Sequence, residues 1–459
     1  MLGSLVPFPS AMHHTGWATP IRTLAAIALA LCAAGCATSR PKPLPEQAAS
    51  ASSLSQLQGY DATALPLDVA AVERLVLLNN PDLKTQHARH QAAQAQRLQD
   101  GVLPNPTIGG SVGYLLSGAG DATAWTASIS QDIASLITLR PRREAAKASA
   151  DEVDAGLLWE QWQTLGKTRL LVIDLVEGQR QIALQTQAVQ AQTQRETRII
   201  NAVRNGNLER VAVASDLAAA AEARSALSDM QRRQLDQQQQ LNALLGLQPG
   251  VVLPLATSLP PAQVGAAAIR AQFDSVSRRR PDLVALQLGY QAQEANLRAA
   301  VLAQFPPLSI GYAASQDNSR VRNGGPAVNF TLPIFDHNQH NVAIARATRE
   351  QLHQEYTTRL ATSHDDVDAL LAQYAQLDAQ QQALLPATDD AVRAASQADQ
   401  AARAGLIDLR NVTDLRVAAI NRQLAQLATG QAMLEQQAAL ELLVGRGMPT
   451  SLEQDVMAP

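Results

Sequence analysis

The feature that most constrains the fold is a pair of short alternating stretches set between long helical ones. In residues 308–313 large apolar side chains alternate with small or polar ones, and the alternation returns in residues 328–332. A period of two predicts strands with one apolar face and one small, polar face. A polar loop that contains Gly-Gly-Pro, residues 317–326, separates the stretches and predicts an antiparallel hairpin. Because a single hairpin is only marginally stable in water, other strands must complete this sheet.

A second hairpin is predicted in the first half of the chain, which indicates an internal duplication. Asn80-Pro-Asp-Leu83 recurs as Arg280-Pro-Asp-Leu283, and period-two alternation recurs in residues 108–114 and 125–130. Four strands are fewer than the roughly eight that a small closed barrel needs. Either the sheet is open, or several chains pool their hairpins into one barrel.

Long helices are predicted on both sides of the hairpins. Aromatic residues make up only 3% of the chain, and Ala, Leu and Val recur at three- and four-residue steps. This composition favours coiled-coil helices packed through small residues over a compact globular core. The predicted fold class is therefore mostly α with a small β part. The predicted helices are 142–204, 208–245, 338–403 and 407–443, with turns at Gly206 and Gly405, ends at Gly246 and Gly445, and a kink at Pro386.

The N-terminal residues carry the pattern of a targeting segment. Arg22 precedes a short apolar run that ends in Ala33-Ala-Gly-Cys36 and is too short to span a bilayer as a mature helix. Residues 1–35 are therefore predicted to be a signal peptide, with Met1 or Met12 as its start. The small residues before Cys36 resemble a bacterial lipoprotein signal, which implies lipidation of Cys36 and sorting to the outer membrane.

Residues 36–65 are predicted to be a flexible, lipid-anchored tether because they are rich in Pro, Ser, Ala and Gln. The chain contains two cysteines, Cys32 and Cys36, so cleavage before Cys36 leaves one. A single cysteine excludes an internal disulfide and a cysteine metal cluster. The net charge of −4 gives no electrostatic basis for a nucleic-acid partner.

The order and spacing of these elements resemble the TolC-like outer-membrane efflux channels, in their lipoprotein branch. The residues that carry the resemblance are Asn80-Pro-Asp-Leu83, Arg280-Pro-Asp-Leu283, Phe305-Pro306, Leu332-Pro-Ile-Phe-Asp336, Asn338-Gln339 and the paired glycines. The resemblance implies a homotrimer whose chains each contribute four strands to one 12-stranded transmembrane β-barrel. Long antiparallel coiled-coil helices continue it as an α-barrel into the periplasm. The implied partners are a periplasmic membrane-fusion adaptor, an inner-membrane transporter and outer-membrane lipid.

The resemblance also implies a division of the mature chain and a function. The predicted segments are a first efflux repeat (66–247), a linker (248–268), a second repeat (269–447) and a C-terminal tail (448–459). The predicted function is the outer-membrane channel of a tripartite efflux system, a passive duct across the outer membrane and periplasm. The alternatives are a duct for type I protein secretion and a non-conducting structural coiled-coil lipoprotein. Alternating strands favour a duct, because a pure scaffold has no need of a lipid-facing sheet.

Several motifs that resemble chemical sites are better explained by structure. Gly109-Gly-Ser111-Val-Gly113 matches the G-x-S-x-G nucleophile elbow, yet that elbow needs a strand-to-helix turn and Ser111 lies mid-strand. The pairs His87/His90 and His337/His340 have a spacing that can bind metal, but no third ligand lies within either motif. The remaining motifs are the acidic runs 364–368 and 389–390, expected to be solvated or pore-lining, and Trp159 with Trp162, expected to pack. No enzyme, cofactor or metal site is predicted.

Charged residues concentrate at the predicted turn around Gly405, far from the hairpins. Arg403, Asp408 and Asp414 are the candidates for a periplasmic aperture. In a trimer, an inward-facing carboxylate becomes a ring that attracts cations. The resemblance places an aperture carboxylate at Asp414, whereas the neighbouring acidic position of the family is Asn411 here. Ion pairs at this tip, with Arg403 and Asp408 as candidates, are expected to hold adjacent helices together until an adaptor binds.

Overall fold

The computed structural model describes residues 41–46, 50–63, 65–100, 102–120, 122–209, 211–273 and 275–445. The chain divides into two compact units, residues 1–49 and 50–459, and the second carries the helices and strands. The predicted signal peptide, Cys36 and the tail at 448–459 lie outside the described residues.

Long helices and a small sheet make up the second unit. The helices are α1 (Val69–Asn79), α2 (Pro81–Asp100), α3 (Ala134–Arg204), α4 (Ala214–Leu245), α5 (Ala266–Phe273), α6 (Val276–Arg279), α7 (Pro281–Leu302), α8 (Gln339–Arg403) and α9 (Leu409–Val444). The strands are β1 (Thr107–Gly113), β2 (Ala124–Asp132), β3 (Leu308–Gln316) and β4 (Arg322–Phe330). Each half of the chain therefore contributes one β-hairpin and one long helical hairpin, α3–α4 or α8–α9, which confirms the predicted fold class.

The ends of the long helices lie where the glycines predict them. Gly206 and Gly405, which follow α3 and α8, have φ values of 75° and 73°, and Gly246 and Gly445 after α4 and α9 have 69° and 67°. This left-handed conformation ends a helix and is accessible to glycine without strain. α8 runs through Pro386 as one helix of 65 residues.

The starts of two helices differ from the prediction. α3 has 71 residues and begins at Ala134, because the Asp132 carboxylate accepts a hydrogen bond of 2.9 Å from the Ala134 amide. Pro141 lies inside it, where the missing N–H removes one backbone bond from a long helix. α4 begins at Ala214 rather than at 208, because a 3-10 turn at Val211–Val213 precedes it.

The four strands form one antiparallel sheet in the order β1-β2-β3-β4, so its central ladder joins the two halves of the chain. β4 begins at Arg322, which corrects the predicted strand at 328–332 and shortens the predicted loop to residues 317–321. Pro326 pairs with Tyr312 in β4. Since β4 is an edge strand of the described sheet, a residue without an N–H is tolerated there.

The two faces of the sheet differ as the alternation predicts. One face carries small or polar side chains, including Thr107, Ser111, Thr126, Ser128, Ser130, Ser309, Gly311 and Ala313. The other carries large apolar side chains, including Ile108, Val112, Trp125, Ile129, Ile310, Tyr312 and Val328. Ile108 is 81% exposed and Val328 is 59% exposed in the single chain. Such a surface matches an apolar environment on one side of the sheet and water on the other.

The segment before α1 is packed, which corrects part of the predicted flexible tether. Ala51 bridges Leu247, and Leu67 bridges Leu255, so both ends of this segment pair with the residues that follow α4. Leu57 and Leu67 are buried in a core that α1, α3 and α4 also line. The burial of these leucines and the backbone hydrogen bonds of the bridges order residues 51–63.

No helix in the described ranges has the length and apolarity that a membrane span requires.

Candidate functional site

The candidate site is the tip where α3 and α4 meet the start of α9. Arg195 of α3 donates hydrogen bonds to Asp216 of α4 and to Asp414 of α9. Arg410 of α9 also reaches Asp216, at 3.4 Å. The side chain of Arg195 is 10% exposed, that of Asp216 7% and that of Asp414 57%. One guanidinium, largely shielded from solvent, therefore joins the two helical hairpins of the chain.

Asp408, one of the two candidates for an ion pair between adjacent helices, caps α9. Its Oδ1 accepts hydrogen bonds from the amides of Arg410 at 2.8 Å and Asn411 at 2.9 Å. A carboxylate at a helix N-terminus satisfies free amide groups and interacts favourably with the helix dipole. Arg403 lies in the last turn of α8. Asp408 has a structural role here, and Asp414 is the acidic candidate that bridges the hairpins.

A cavity of about 390 Å³ opens beside these ion pairs. Its walls combine arginine side chains with apolar ones; the lining residues are Arg195, Arg198, Ile199, Ala202, Leu208, Val213, Asp216, Leu409, Arg410 and Thr413. The Nε of Arg195 is buried and has no hydrogen-bond partner among the described residues. The tip thus presents both a charged and an apolar surface.

Further ion pairs support the tip on both hairpins. Arg224 of α4 donates to both carboxylate oxygens of Glu196 on α3, at 2.7 and 3.1 Å, and these hydrogen bonds lower the pKa of Glu196. Arg416 of α9 pairs with Asp399 of α8 at 2.6 Å. Each hairpin therefore carries an arginine–carboxylate pair of its own, and Arg195 links the two hairpins.

Arg195 and Asp216 were not identified from the sequence. Both residues lie inside predicted helices, whereas the predicted aperture candidates all lie close to the Gly405 turn. They are nearly equidistant along the chain from Gly206. Because residues equidistant from the turn of a helical hairpin face each other, this spacing is a signal that could have paired them.

The motifs singled out in the sequence have structural partners. Ser111 Oγ shares a hydrogen bond of 2.8 Å with Thr126 Oγ1 on the next strand, as expected for a mid-strand serine. His90 Nδ1 contacts Asp154, whereas His340 lies 3.4 Å from Asp336 on an exposed surface. The described part of the chain contains no group of three or more His, Cys, Asp or Glu side chains arranged for a metal ion.

The tryptophans pack between helices and the acidic runs face solvent. Trp162 is buried and donates through Nε1 to the carbonyl of Leu442 at 2.9 Å, while the Trp159 ring stacks on Arg280 at 5.1 Å. Asp365, Asp366, Asp368, Asp389 and Asp390 are all exposed. These positions do not converge on a pocket that could hold a substrate for acid–base chemistry.

Comparisons with known proteins identify the kind of protein that has this architecture. Residues 273–446 match the family model of the outer membrane efflux proteins, and no curated protein sequence matches the chain. The structure of CusC is 18% identical with a TM-score of 0.64, and the alignment covers 90% of this chain and 100% of CusC. The resemblance to the TolC-like outer-membrane efflux proteins is therefore confirmed.

Two further channels show the same likeness in fold. The CmeC outer membrane channel of Campylobacter jejuni is 14% identical with a TM-score of 0.68, covering 92% of this chain and 98% of its own. The MtrE outer membrane channel of Neisseria gonorrhoeae, in its open state, is 16% identical with a TM-score of 0.64, covering 90% and 99%. These TolC-like proteins are channels and not enzymes, which fits the expectation for this chain.

Proposed function

We propose that this TolC-like chain is the outer-membrane channel of a tripartite efflux system. It forms a passive export duct across the outer membrane and periplasm, and it docks to a periplasmic adaptor and an inner-membrane transporter. The observation that carries the proposal is the joining of a two-faced antiparallel sheet to long helical hairpins that end in an ion-paired tip. The duct supplies no chemistry, so the pump determines what is exported.

The strand edges support a homotrimer. β1 and β4 each have one edge without a pairing strand within the described sheet, which leaves a row of backbone groups unsatisfied in an apolar medium. Three copies joined β4 to β1 would close a barrel with no free edge. Light scattering of detergent-solubilised protein tests this, and a monomeric mass would contradict it.

The orientation of the sheet faces follows from the same closure. The small, polar face that includes Ser111, Ser128 and Ser309 lines the water-filled lumen, and the apolar face contacts lipid. The helical hairpins then extend into the periplasm, with the Gly206 and Gly405 turns at the far end. That end is where the adaptor docks.

The tip provides the periplasmic aperture, with Asp414 as its acidic residue. In the trimer, three copies of Asp414 surround one axis, and each is held by the Arg195 of its own chain. A carboxylate ring attracts cations and repels anions in a narrow pore. Arg403, at the end of α8, lies beside the same turn and is available to an adaptor or a neighbouring chain.

Conductance in planar bilayers tests the duct and the aperture together. The trimer should form ion-conducting pores, and Asp414→Ala should reduce their preference for cations. Asp229→Ala is a matched control, because Asp229 is an exposed carboxylate of α4 with an i,i+3 arginine partner. A folded trimer that never conducts would contradict the duct and favour the non-conducting structural lipoprotein.

We further propose that Cys36 carries lipid in the mature protein, which anchors the chain to the outer membrane. The support is the apolar run before Ala33-Ala-Gly-Cys36. Metabolic labelling with a fatty acid should mark the wild-type protein, and the label should be lost in Cys36→Ser. Unchanged labelling of the variant would contradict the anchor without affecting the duct.

A further inference from the structure

A pair of carboxyl groups lies between α3 and α9. Asp174 of α3 and Glu435 of α9 lie beside each other, because both accept a hydrogen bond from the same amide group. Gln431, one turn before Glu435, donates from its Nε2 to Asp174 Oδ1 and to Glu435 Oε1, each at 2.8 Å. Two carboxylates this close repel each other unless a proton lies between them.

Amide side chains from both elements of the first hairpin hold this pair in place. Gln237 of α4 donates to Asp174 Oδ2 at 3.0 Å, and Gln181 of α3 donates to Gln431 Oε1 at 2.7 Å. Because Gln181 binds the carbonyl oxygen of Gln431, the amide nitrogen of Gln431 is directed at the two carboxyl groups. The network therefore connects α3 and α4 with α9 of the second hairpin.

The surroundings of the pair determine the pKa of Glu435, and Asp174 is the charged group that contributes to it. Burial, together with the hydrogen bond to Asp174, raises the pKa of Glu435 to about 7. Within two turns of the pair along α3 and α9, Arg169 forms an ion pair with Glu441 and Arg180 forms one with Glu177. From α8, the other neighbour of α9, the amide of Gln373 binds Gln436 at 3.1 Å.

We propose that the Asp174–Glu435 pair is a proton-dependent latch between the two helical hairpins of one chain. With one proton on the pair, the carboxyl groups bond to each other and hold α9 against α3. When that proton leaves to water, both groups are anionic and their repulsion weakens the contact. Arg195 and Asp414 bridge the same two helices nearer the tip. Loss of the proton therefore favours separation of the two hairpins. The link between this separation and channel opening rests on the proposed function, whereas the latch itself does not.

The internal repeat supplies a matched control. The paired glycines align Glu435 with Asp236 and Asp174 with Gln373, so the repeat-related positions hold only one carboxyl group. Asp236 is exposed on α4. Asp236→Asn therefore removes a carboxylate from the equivalent helix position without touching the latch.

Thermal unfolding of the full chain in detergent, followed by helical circular dichroism from about pH 5.5 to about pH 8.5, tests the latch. A carboxyl group whose pKa is raised in the folded state stabilises that state at low pH, and the contribution is lost as pH rises toward the raised value. The wild-type melting temperature should therefore fall by a few degrees as pH rises through neutrality. Glu435→Gln cannot ionise, so it should lose this fall and be more stable than wild type at the alkaline end. Asp236→Asn should keep it.

An infrared titration gives an independent readout. The wild-type protein should show a protonated-carboxyl band that disappears near neutral pH. Glu435→Gln should lack that band, and in Asp174→Asn the band should disappear at a lower pH, because the partner carboxylate is gone while Glu435 stays partly buried. A flat wild-type melting profile, an unchanged fall in Glu435→Gln, or no such band would overturn the latch. Should Glu435→Gln fail to fold, the band in wild type and Asp174→Asn decides the question.

Channel recordings separate this inference from the proposed function. A protein that titrates in this way but does not conduct supports the latch and contradicts the duct. A protein that conducts with an open fraction independent of pH, in wild type and Glu435→Gln alike, rejects the link between the latch and opening.

Discussion

Gly311 of β3 lies directly against the carbonyl oxygen of Ile129 on β2, so closely that a Cβ atom built at Gly311 would overlap it. The same Cβ would come within 3.0 Å of Ser130 Cα. This contact lies in the β2–β3 ladder, where a strand from each half of the chain pairs with the other. The absence of a side chain at position 311 is therefore a condition for joining the two hairpins.

Gly311→Ala should weaken the sheet, because a methyl group there forces the backbones of β2 and β3 apart. Overpacking of this kind typically costs about 1–3 kcal/mol. Gly325→Ala on β4 is the control, since a Cβ there meets no atom within 4 Å. Resistance of the folded oligomer to heat in detergent should fall for Gly311→Ala only. Equal resistance of the two variants would show that the sheet shifts to accept the methyl group.

Arg195→Ala should increase the time that the proposed channel spends open. The substitution removes the hydrogen bonds to Asp216 and Asp414 that join the hairpins. A loss of about 1.4 kcal/mol from the closed form would raise the open-to-closed ratio about tenfold. Single-channel recording measures this ratio directly.

Arg232→Ala serves as the control for Arg195. Arg232 is a 71% exposed arginine of α4 whose pair with Asp229 lies within one helix. Exposed ion pairs of this kind contribute only about 0–1 kcal/mol to stability. The open fraction of Arg232→Ala channels should therefore match that of wild type. If Arg195→Ala also matched wild type, the closed tip would depend on other contacts.

Arg280→Ala should destabilise the helical body strongly. Arg280 is buried, binds Asp282 through two hydrogen bonds of 2.8 Å and donates to Ser363 Oγ at 2.8 Å. Removing one partner of a buried ion pair costs about 3–5 kcal/mol in stability. The loss is reduced here because Arg359, 3.6 Å from Asp282, still pairs with the remaining carboxylate. Thermal unfolding measures the effect, with the exposed Arg278→Ala as the control.

Arg280→Asn distinguishes charge pairing from helix capping. The repeat-related Asn80 accepts a hydrogen bond of 2.9 Å from the Leu83 amide, which caps α2. A cap is worth about 1 kcal/mol, so Asn at position 280 should recover only a small part of the loss. Full recovery would show that the buried pair contributes little to stability.

Peptide tags inserted after Gly118 and after Ser319 should be accessible to antibody on intact cells. Both positions lie in loops between paired strands, at the end of the sheet away from the helices. A tag at Asn323 should instead disrupt β4, because Asn323 pairs with Ser315. Staining that requires permeabilised cells would show that the sheet is inverted relative to the proposal.

The duplication and the helix ends could be predicted from the sequence because their causes are local. A glycine in the left-handed conformation ends each long helix, and alternation of side chains fixes which face of a strand is apolar. The extent of β4 could not be predicted in this way. Its Gly-Gly-Pro sequence is typical of a loop, whereas in the structure this sequence pairs with β3 and Pro326 lies opposite Tyr312.

The ion pairs at the tip depend on contacts between distant segments. Asp414 was predicted as an aperture residue from the charges around the Gly405 turn and from the family resemblance. Its partner Arg195 lies on another helix, so neither composition nor local spacing predicts that these two residues form an ion pair. Asp408 caps α9 through the amides of Arg410 and Asn411, while its ion pair with an adjacent helix stays a prediction.

The order of strands in the sheet has a consequence for biogenesis. β2 pairs with β3, so Trp125 can pair with Gln316, and Asp132 with Ser309, only after the helices from α3 to α7 have all been synthesised. Such distant pairings form slowly and leave strand edges open in the meantime. We therefore expect the first hairpin of the nascent chain to stay unpaired with β3, and to be bound by chaperones, until it reaches the membrane. The four-stranded sheet should form only after the chain has been released from the ribosome.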